Sequence, residues 1–160
     1  MTQKMTKAPI LILGIGNILL RDEGIGVHVI NAMQQICLPD TIELLDGGTA
    51  GADLLDSISD RKKLIVIDAL DANVQPGTIV SLTASDMANE PESISLHEFG
   101  LSQTLMMAKL LNCSPGDVSI FAVKPHDVSC GIGLSPQMEF LIPQIIKFLV
   151  DEAFFDNKCD

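Results

Sequence analysis

Five short, largely apolar runs stand out along this 160-residue chain, and each ends at glycine or is followed by a polar residue. The runs are mostly apolar along their length, without strict alternation, which is typical of strands buried in a sheet that helices cover on both faces. The predicted strands are residues 10–14, 42–45, 64–67, 79–82 and 118–123.

Helical periodicity occupies most of the segments between these runs. Apolar residues recur at helical spacing, with polar residues on the opposite face. In the third helix the apolar residues lie on most sides. Ser135-Pro136 is an N-cap followed by proline at the first helical position, which predicts where the last helix begins. Residues 85–95 are polar and are predicted to form a loop. The predicted helices are about residues 24–35, 49–58, 101–111 and 136–153.

The order of these elements predicts an α/β fold. It is a three-layer sandwich with a mostly parallel, twisted five-stranded sheet and helices on both faces. The fourth strand begins only eleven residues after Asp68, behind a type II turn at residues 75–78, which leaves no room for a helical crossover. We therefore expect that strand to be antiparallel and at or near an edge. A single domain over residues 1–160 is expected, with residues 1–8 and 156–160 as disordered tails.

The composition of the chain limits which kinds of molecule we expect it to bind. The formal net charge is −11 with only ten Lys and Arg, so nucleic acid is not an expected partner. No segment has the eighteen or so apolar residues of a membrane span, and the apolar run after Lys7 lacks a signal-peptide cleavage site. Nothing resembles a dimer seam. We expect a cytoplasmic monomer with free thiols at four scattered cysteines: Cys37, Cys113, Cys130 and Cys159.

The glycine-rich run at residues 14–26 carries the adjacent acidic residues Asp22 and Glu23 between a strand and a helix. Ligands bind at such a place in open α/β folds. A dinucleotide-binding loop is one interpretation, but Leu19 stands where its third glycine belongs and about seven residues separate the glycines from the helix. Glycines that only permit a tight turn are the simpler alternative.

Three polar residues follow strands or lie in loops that can reach the same crevice: Glu23, Asp68 and His97. Two carboxylates and an imidazole suit a divalent ion such as nickel or zinc, and three protein ligands leave a coordination position open. Each residue also has a simpler role. Glu23 can favour the positive end of a helix, Asp68 can bond turn amides, and His97 can be an ordinary loop histidine.

Several segments together resemble the hydrogenase maturation proteases, which are endopeptidases specific for the large subunit of nickel-iron hydrogenases. The similarity runs over residues 10–148, and the long first segment is the most specific. The matching segments are residues 13–26, 46–51, 67–69, 95–98 and 131–135.

The resemblance implies a phosphorylase/hydrolase-like fold and an aspartyl-type endopeptidase that removes the C-terminal extension of the immature large subunit after nickel insertion. Its metal-contacting and catalytic positions correspond here to Glu23, Asp68 and His97, and nickel is expected to be carried by the substrate. A non-catalytic metal-delivery or folding factor for the same precursor is the alternative.

Further residues lie at other strand ends. Asp46, Gly47, Gly48 and Thr49 follow the second strand, where they either bind substrate in the same cleft or form a plain turn. His126, after the fifth strand, is a rival to His97 for contact with metal or substrate. Cys130 has no motif that would make it a nucleophile.

Overall fold

The computed structural model describes residues 6–89, 95–96 and 100–155. Within these ranges the strands are β1 (Ile10–Ile15), β2 (Ile42–Gly48), β3 (Lys63–Asp71), β4 (Ile79–Thr83), β5 (Ser95–Leu96) and β6 (Asp117–Val123). The α-helices are α1 (Ile25–Met33), α2 (Leu55–Ile58), α3 (Ala84–Asn89), α4 (Gly100–Leu110) and α5 (Pro136–Phe155). Two 3-10 turns, Arg21–Gly24 and Ala52–Leu54, precede α1 and α2.

The sheet has the strand order β2-β1-β3-β6-β4. The first four strands in this order are parallel, and β4 pairs antiparallel with β6 at the edge. The predicted five-stranded, mostly parallel sheet with one antiparallel strand is therefore confirmed. The short β5 adds a pairing that the sequence did not indicate, because it joins β3 antiparallel at Leu70 and Asp71.

The turn before β4 has the predicted type II features. Gly77 has a φ of +85°, and the Thr78 amide donates to the Gln75 carbonyl oxygen at 3.1 Å. The Gly77 amide also donates to the Lys124 carbonyl oxygen at 2.8 Å, which ties the turn to the end of β6. Because of this contact and the short connection, β4 runs antiparallel to β6.

Both faces of the sheet are covered, and β1 shows why. Its alternate residues point to opposite sides. Ile10 and Ile12 pack in the core layer that contains α1 and α5. Leu11 and Leu13 pack in the layer that contains α2 and α4. This arrangement leaves the carboxyl ends of the parallel strands as the open edge between the two layers.

The boundary predicted for the third strand was wrong. Asp68 lies inside β3, not at its end, because pairing with β6 continues to Ala69 and pairing with β5 continues to Asp71. The pairing of β3 with β1, however, stops at Ile67, opposite Gly14. Asp68 is therefore the first residue of β3 that no longer pairs with β1, and it still belongs to the carboxyl edge of the sheet.

The loop predicted over residues 85–95 was also wrong in its first half, where α3 begins directly after β4. The Asp86 carboxylate accepts hydrogen bonds from the Thr83 amide at 2.7 Å and the Thr83 hydroxyl at 2.9 Å. The Asp86 amide faces the Thr83 hydroxyl oxygen at 3.4 Å. This Thr-x-x-Asp capping box is a helix-start signal that outweighs the polar composition of the segment.

Among the helices that the structure describes, none combines the length and the apolar character needed to cross a membrane.

Candidate active site

A cleft of about 710 Å³ opens at the carboxyl edge of the sheet. Its walls come from the β1–α1 loop, the end of β2, the end of β3, the turn before β4 and the loop after β6. The lining residues are Asn17, Leu20, Glu23, Thr49, Ala69, Leu70, Asp71, Pro76, Lys124, Pro125, His126 and Val128. Ligands bind in this position in open α/β folds.

The glycines of the β1–α1 loop pack backbone against backbone. A Cβ on Gly26 would lie 2.2 Å from the Ile15 carbonyl oxygen and 2.4 Å from that of Ile67, so the start of α1 rests directly on the end of β1 and on β3. A Cβ on Gly16 would lie 2.1 Å from the Glu23 carbonyl oxygen. Side chains are therefore excluded at both positions, and the loop holds Glu23 at a fixed place beside the two strands.

Glu23 is half-buried and lines the cleft from the 3-10 turn before α1. Its amide donates to the Leu20 carbonyl oxygen at 3.2 Å, which closes the turn. The location just before α1 agrees with the simpler role of a carboxylate at the positive end of a helix. It is equally suited to contact with a ligand, since the same residue forms part of the cleft wall.

Asp68 is 2% exposed, and its Oδ1 accepts a hydrogen bond from the Ala69 amide at 2.8 Å. The next two residues of β3, Ala69 and Leu70, line the cleft. Gly26 contacts the residue before Asp68, so the same close packing that positions Glu23 brings the two acidic residues to one region. Glu23 lines the cleft itself, whereas Asp68 lies behind Ala69 and Leu70, and joint contact of the two carboxylates with one ligand stays a prediction.

His97 lies outside the described residues. Leu96, which precedes it in the chain, pairs with Leu70, two residues after Asp68. Within residues 6–89, 95–96 and 100–155, no three His, Cys, Asp or Glu side chains form a group that could hold a metal ion. The complete trio of Glu23, Asp68 and His97 thus stays a prediction.

The prediction that Asp46, Gly47 and Gly48 follow the second strand was wrong, because β2 keeps pairing with β1 as far as Gly48. Of this segment, Thr49 alone lines the cleft. Asp46 is exposed, and its Oδ1 accepts a hydrogen bond from the Gly48 amide at 2.9 Å, so this side chain stabilises its own turn. Gly47 is buried, and a Cβ there would lie 2.8 Å from Leu13 Cδ1. Gly48 and Thr49 also border a smaller pocket of about 200 Å³. The plain-turn interpretation accounts for Asp46, and Thr49 is the better placed for substrate.

The neighbour of Glu23 has a different role. Asp22 is fully buried, and its carboxylate accepts four hydrogen bonds from the loop after β6. The donors are the amides of His126 at 2.9 Å, Asp127 at 2.8 Å and Ser135 at 2.7 Å, and the Ser135 hydroxyl at 2.8 Å. The Asp22 amide donates back to the Asp127 carbonyl oxygen at 3.0 Å. Asp22 therefore shapes the site by holding one cleft wall against the turn that carries Glu23.

The wall that Asp22 holds contributes the side chains of Lys124 and His126 to the cleft. The Lys124 Nζ lies 3.4 Å from the Asp71 carboxylate on β3. His126 is exposed and lines the cleft, as expected for a rival ligand to His97, but its position alone assigns it no role. Next to it, donation from the Ser129 hydroxyl and then its amide lowers the pKa of Asp127, with a smaller contribution from Arg21. Cys130 is an exposed thiol of the same loop.

Comparison with known proteins identifies the family. A family model described as hydrogenase maturation protease matches residues 27–152. The chain is 40% identical over 141 residues to the hydrogenase 2 maturation protease of Escherichia coli (strain K12), a match that covers 86% of each protein. It is 34% identical over 148 residues to the hydrogenase expression/formation protein HupD of Rhodobacter capsulatus, covering 88% of this chain and 70% of that one.

A solved structure of a protein from the same family supports this identification. The hydrogenase maturating endopeptidase HybD from E. coli superimposes with a TM-score of 0.84 at 37% identity, covering 93% of both chains. The chain therefore belongs to the hydrogenase maturation proteases. The enzyme class implied by the resemblance is confirmed: the protein is a protease, and its α/β sandwich is the fold of that relative.

Proposed function

We propose that this protease removes the C-terminal extension of a nickel-iron hydrogenase large-subunit precursor once nickel has been inserted, and that it recognises the nickel on the precursor. One observation carries the proposal. The cleft at the carboxyl edge of the sheet has Glu23 in its wall, and Asp68 lies buried directly before Ala69 and Leu70, which also line it. Gly26 packs the loop that carries Glu23 against the strand that carries Asp68. The names of the relatives supply the class of substrate, since they refer to hydrogenase maturation.

Nickel on the substrate suits the chemistry of these residues. Carboxylate oxygens and imidazole nitrogens bind borderline divalent ions, and we assign the contacts to Glu23, Asp68 and His97. A closed zinc site of four ligands contributes about 10–16 kcal/mol, and an oxygen-rich site with three ligands binds more weakly. Weak binding by the free enzyme favours a metal that arrives already held by the precursor. The segment of His97 fits this set, because Leu96 pairs with β3 two residues beyond Asp68.

The reaction consumes one water. Its oxygen bonds to the carbonyl carbon of the scissile peptide, the C–N bond breaks, and the departing nitrogen takes up a proton. Glu23 is the better placed carboxylate to accept the proton from water, because it lines the cleft, whereas Asp68 is buried and bonds the Ala69 amide. In this assignment Asp68 orients the metal-bearing segment of the precursor, and Thr49 contacts its backbone.

The test incubates the purified protein with nickel-loaded and nickel-free precursor from the same organism and follows the mass of the precursor's C-terminus. We expect cleavage of the nickel-loaded form alone. Glu23→Gln, Asp68→Asn and His97→Ala should each lower the rate at least about 100-fold, which is the usual contribution of an acid–base or positioning group. Asp151→Asn, an exposed change on α5, serves as the matched control and should keep full activity.

Two outcomes would contradict the proposal. Equal cleavage of both precursor forms would remove nickel from the recognition step. Tight binding of the precursor without cleavage would support the alternative of a metal-delivery or folding factor for this particular substrate. Circular dichroism of each variant separates loss of chemistry from loss of fold.

We also propose that the protein acts in the cytoplasm as a monomer and binds neither nucleic acid nor membrane. The net charge of −11 supports the absence of nucleic acid. Sedimentation of the purified protein tests the monomer directly, and a concentration-dependent dimer would refute it.

A further inference from the structure

A second, shallower depression of about 680 Å³ adjoins the cleft. The two share Pro76 and His126, so these residues form a ridge between them. Beyond the ridge the depression is lined by the first turns of α5, including Phe140 and Leu141. The cleft and the depression thus lie side by side at this edge of the molecule and make up the two halves of what we call the channel.

The two halves of the channel differ in chemistry. The cleft has charged side chains, namely Glu23, Asp71 and Lys124. Among the described residues that line the depression there is no Asp, Glu, Lys or Arg. Phe140 is 85% exposed there, the largest exposed fraction among the large hydrophobic residues of the described chain. An aromatic ring that is open to solvent beside a cleft is a typical anchor for an apolar side chain of a ligand.

The depression is fixed relative to the acidic residues. Ser135, the residue before α5, donates both its amide and its hydroxyl to Asp22, which is the chain neighbour of Glu23. On the ridge, a Cβ at Gly77 would lie 3.1 Å from His126 Nε2, so the ring packs closely over that turn. The start of α5 and the turn of Glu23 are thus joined through one buried carboxylate.

We propose that the depression is a subsite for an apolar side chain of the precursor, within a few residues of the scissile bond, and that Phe140 is its main contact. The inference rests on the proposed function, because it takes the precursor to be the ligand of the cleft. An extended chain places alternate side chains about 6.5–7 Å apart on one side. A segment whose scissile bond lies beside Glu23 then continues over the Pro76–His126 ridge into the depression.

The chain offers a closely matched control. Phe155 lies on the same helix and is 75% exposed, but it is fifteen residues further along, roughly 22 Å from Phe140 down the axis. Phe140→Ser and Phe155→Ser each remove one exposed ring, so both variants are expected to fold. Thermal unfolding of the two checks that expectation.

The experiment measures kcat and KM for nickel-loaded precursor from the same organism, and the Kd of that precursor by titration calorimetry. We expect Phe140→Ser to raise KM and Kd about tenfold, equivalent to about 1.4 kcal/mol, with kcat within about twofold of the parent. Phe155→Ser should change none of the three. Replacing the apolar residues near the cut in the precursor with serine should abolish the difference between the parent and Phe140→Ser.

The outcomes separate this inference from the function beneath it. If the parent cleaves the precursor and the two serine variants behave alike, the subsite is wrong and the protease assignment stands. A loss confined to kcat would also overturn the subsite, because it would exclude a binding contact. If the parent binds without cleaving, the Kd values alone decide the subsite. If the parent neither binds nor cleaves, both proposals fail.

Discussion

Asp22 connects the turn that carries Glu23 to the loop that forms the opposite wall of the cleft, and Asp22→Asn is the most informative single change. The carboxylate is fully buried and receives three amide hydrogens and one hydroxyl hydrogen over 2.7–2.9 Å. Asparagine has nearly the same shape but only one acceptor oxygen. Its NH₂ group must therefore face at least one donor that had been satisfied.

The magnitude follows from this count. Oδ2 accepts three of the hydrogen bonds and Oδ1 accepts one, from the Ser135 amide. If the asparagine oxygen replaces Oδ2, the Ser135 amide is left buried without an acceptor, at a cost of about 1–3 kcal/mol. The other three bonds lose their charge assistance, about 1 kcal/mol each at most. We expect a loss of about 3–5 kcal/mol, a large part of the 5–15 kcal/mol of a typical domain.

Urea unfolding followed by circular dichroism measures this loss. With an m-value of about 2 kcal/mol/M, the midpoint should fall by about 2 M. Asp151→Asn removes an exposed carboxylate and should change the free energy of unfolding by less than about 0.5 kcal/mol. At urea concentrations where the variant is still folded, precursor cleavage should also be slower, because the loop wall is no longer held against Glu23. A stability loss under about 1 kcal/mol would refute the role assigned to Asp22.

Two further predictions concern local geometry. Gly16→Ala should lower the rate of precursor cleavage at least about tenfold, because the new Cβ would lie 2.1 Å from the Glu23 carbonyl oxygen. Unchanged kinetics would contradict this prediction and show that the loop can relax. Hydrogen bonds from the Thr83 amide and, to a smaller extent, from the Thr83 hydroxyl lower the pKa of Asp86. The capping box should therefore stabilise α3 fully above a pH of about 4. This stabilisation should be lost as the pH falls through the lowered pKa. NMR titration of the carboxyl should show that lowered midpoint, and Thr83→Val should raise it; equal midpoints would contradict the cause.

Much of the fold could be predicted from short stretches of sequence. The apolar runs indicated the five long strands, and the short connection after β3 indicated that β4 is antiparallel. Two of the incorrect predictions, the end of the third strand and the loop at residues 85–95, also depended on a few neighbouring residues. A polar residue after an apolar run indicates a strand end at Asp68, yet β3 continues past it, because Ala69 still pairs with Val123 of β6. Helix α3 was missed, although Thr83 and Asp86 show the spacing of a capping box.

The candidate site was predicted less evenly. Glu23 could be selected from its glycine-rich loop and from the resemblance to a family. The role of Asp22 had no comparable signal, because its partners His126 and Ser135 are 104 and 113 residues away in the chain. In the sequence Phe140 is one more apolar residue of a helix, and only the packed molecule shows that it lines the depression beside the cleft.

The five long strands, most of the helices and the α/β class follow from the sequence alone, as does the choice of Glu23 and Asp68 as candidates to meet a metal. These depend on the chemistry of neighbouring residues, which acts over a few positions of the chain. The tertiary structure alone decided which strand ends lie side by side, how closely Gly26 packs on β1 and β3, and which loop the buried Asp22 holds. Those features depend on contacts between distant segments, and such contacts are defined only when the chain is folded.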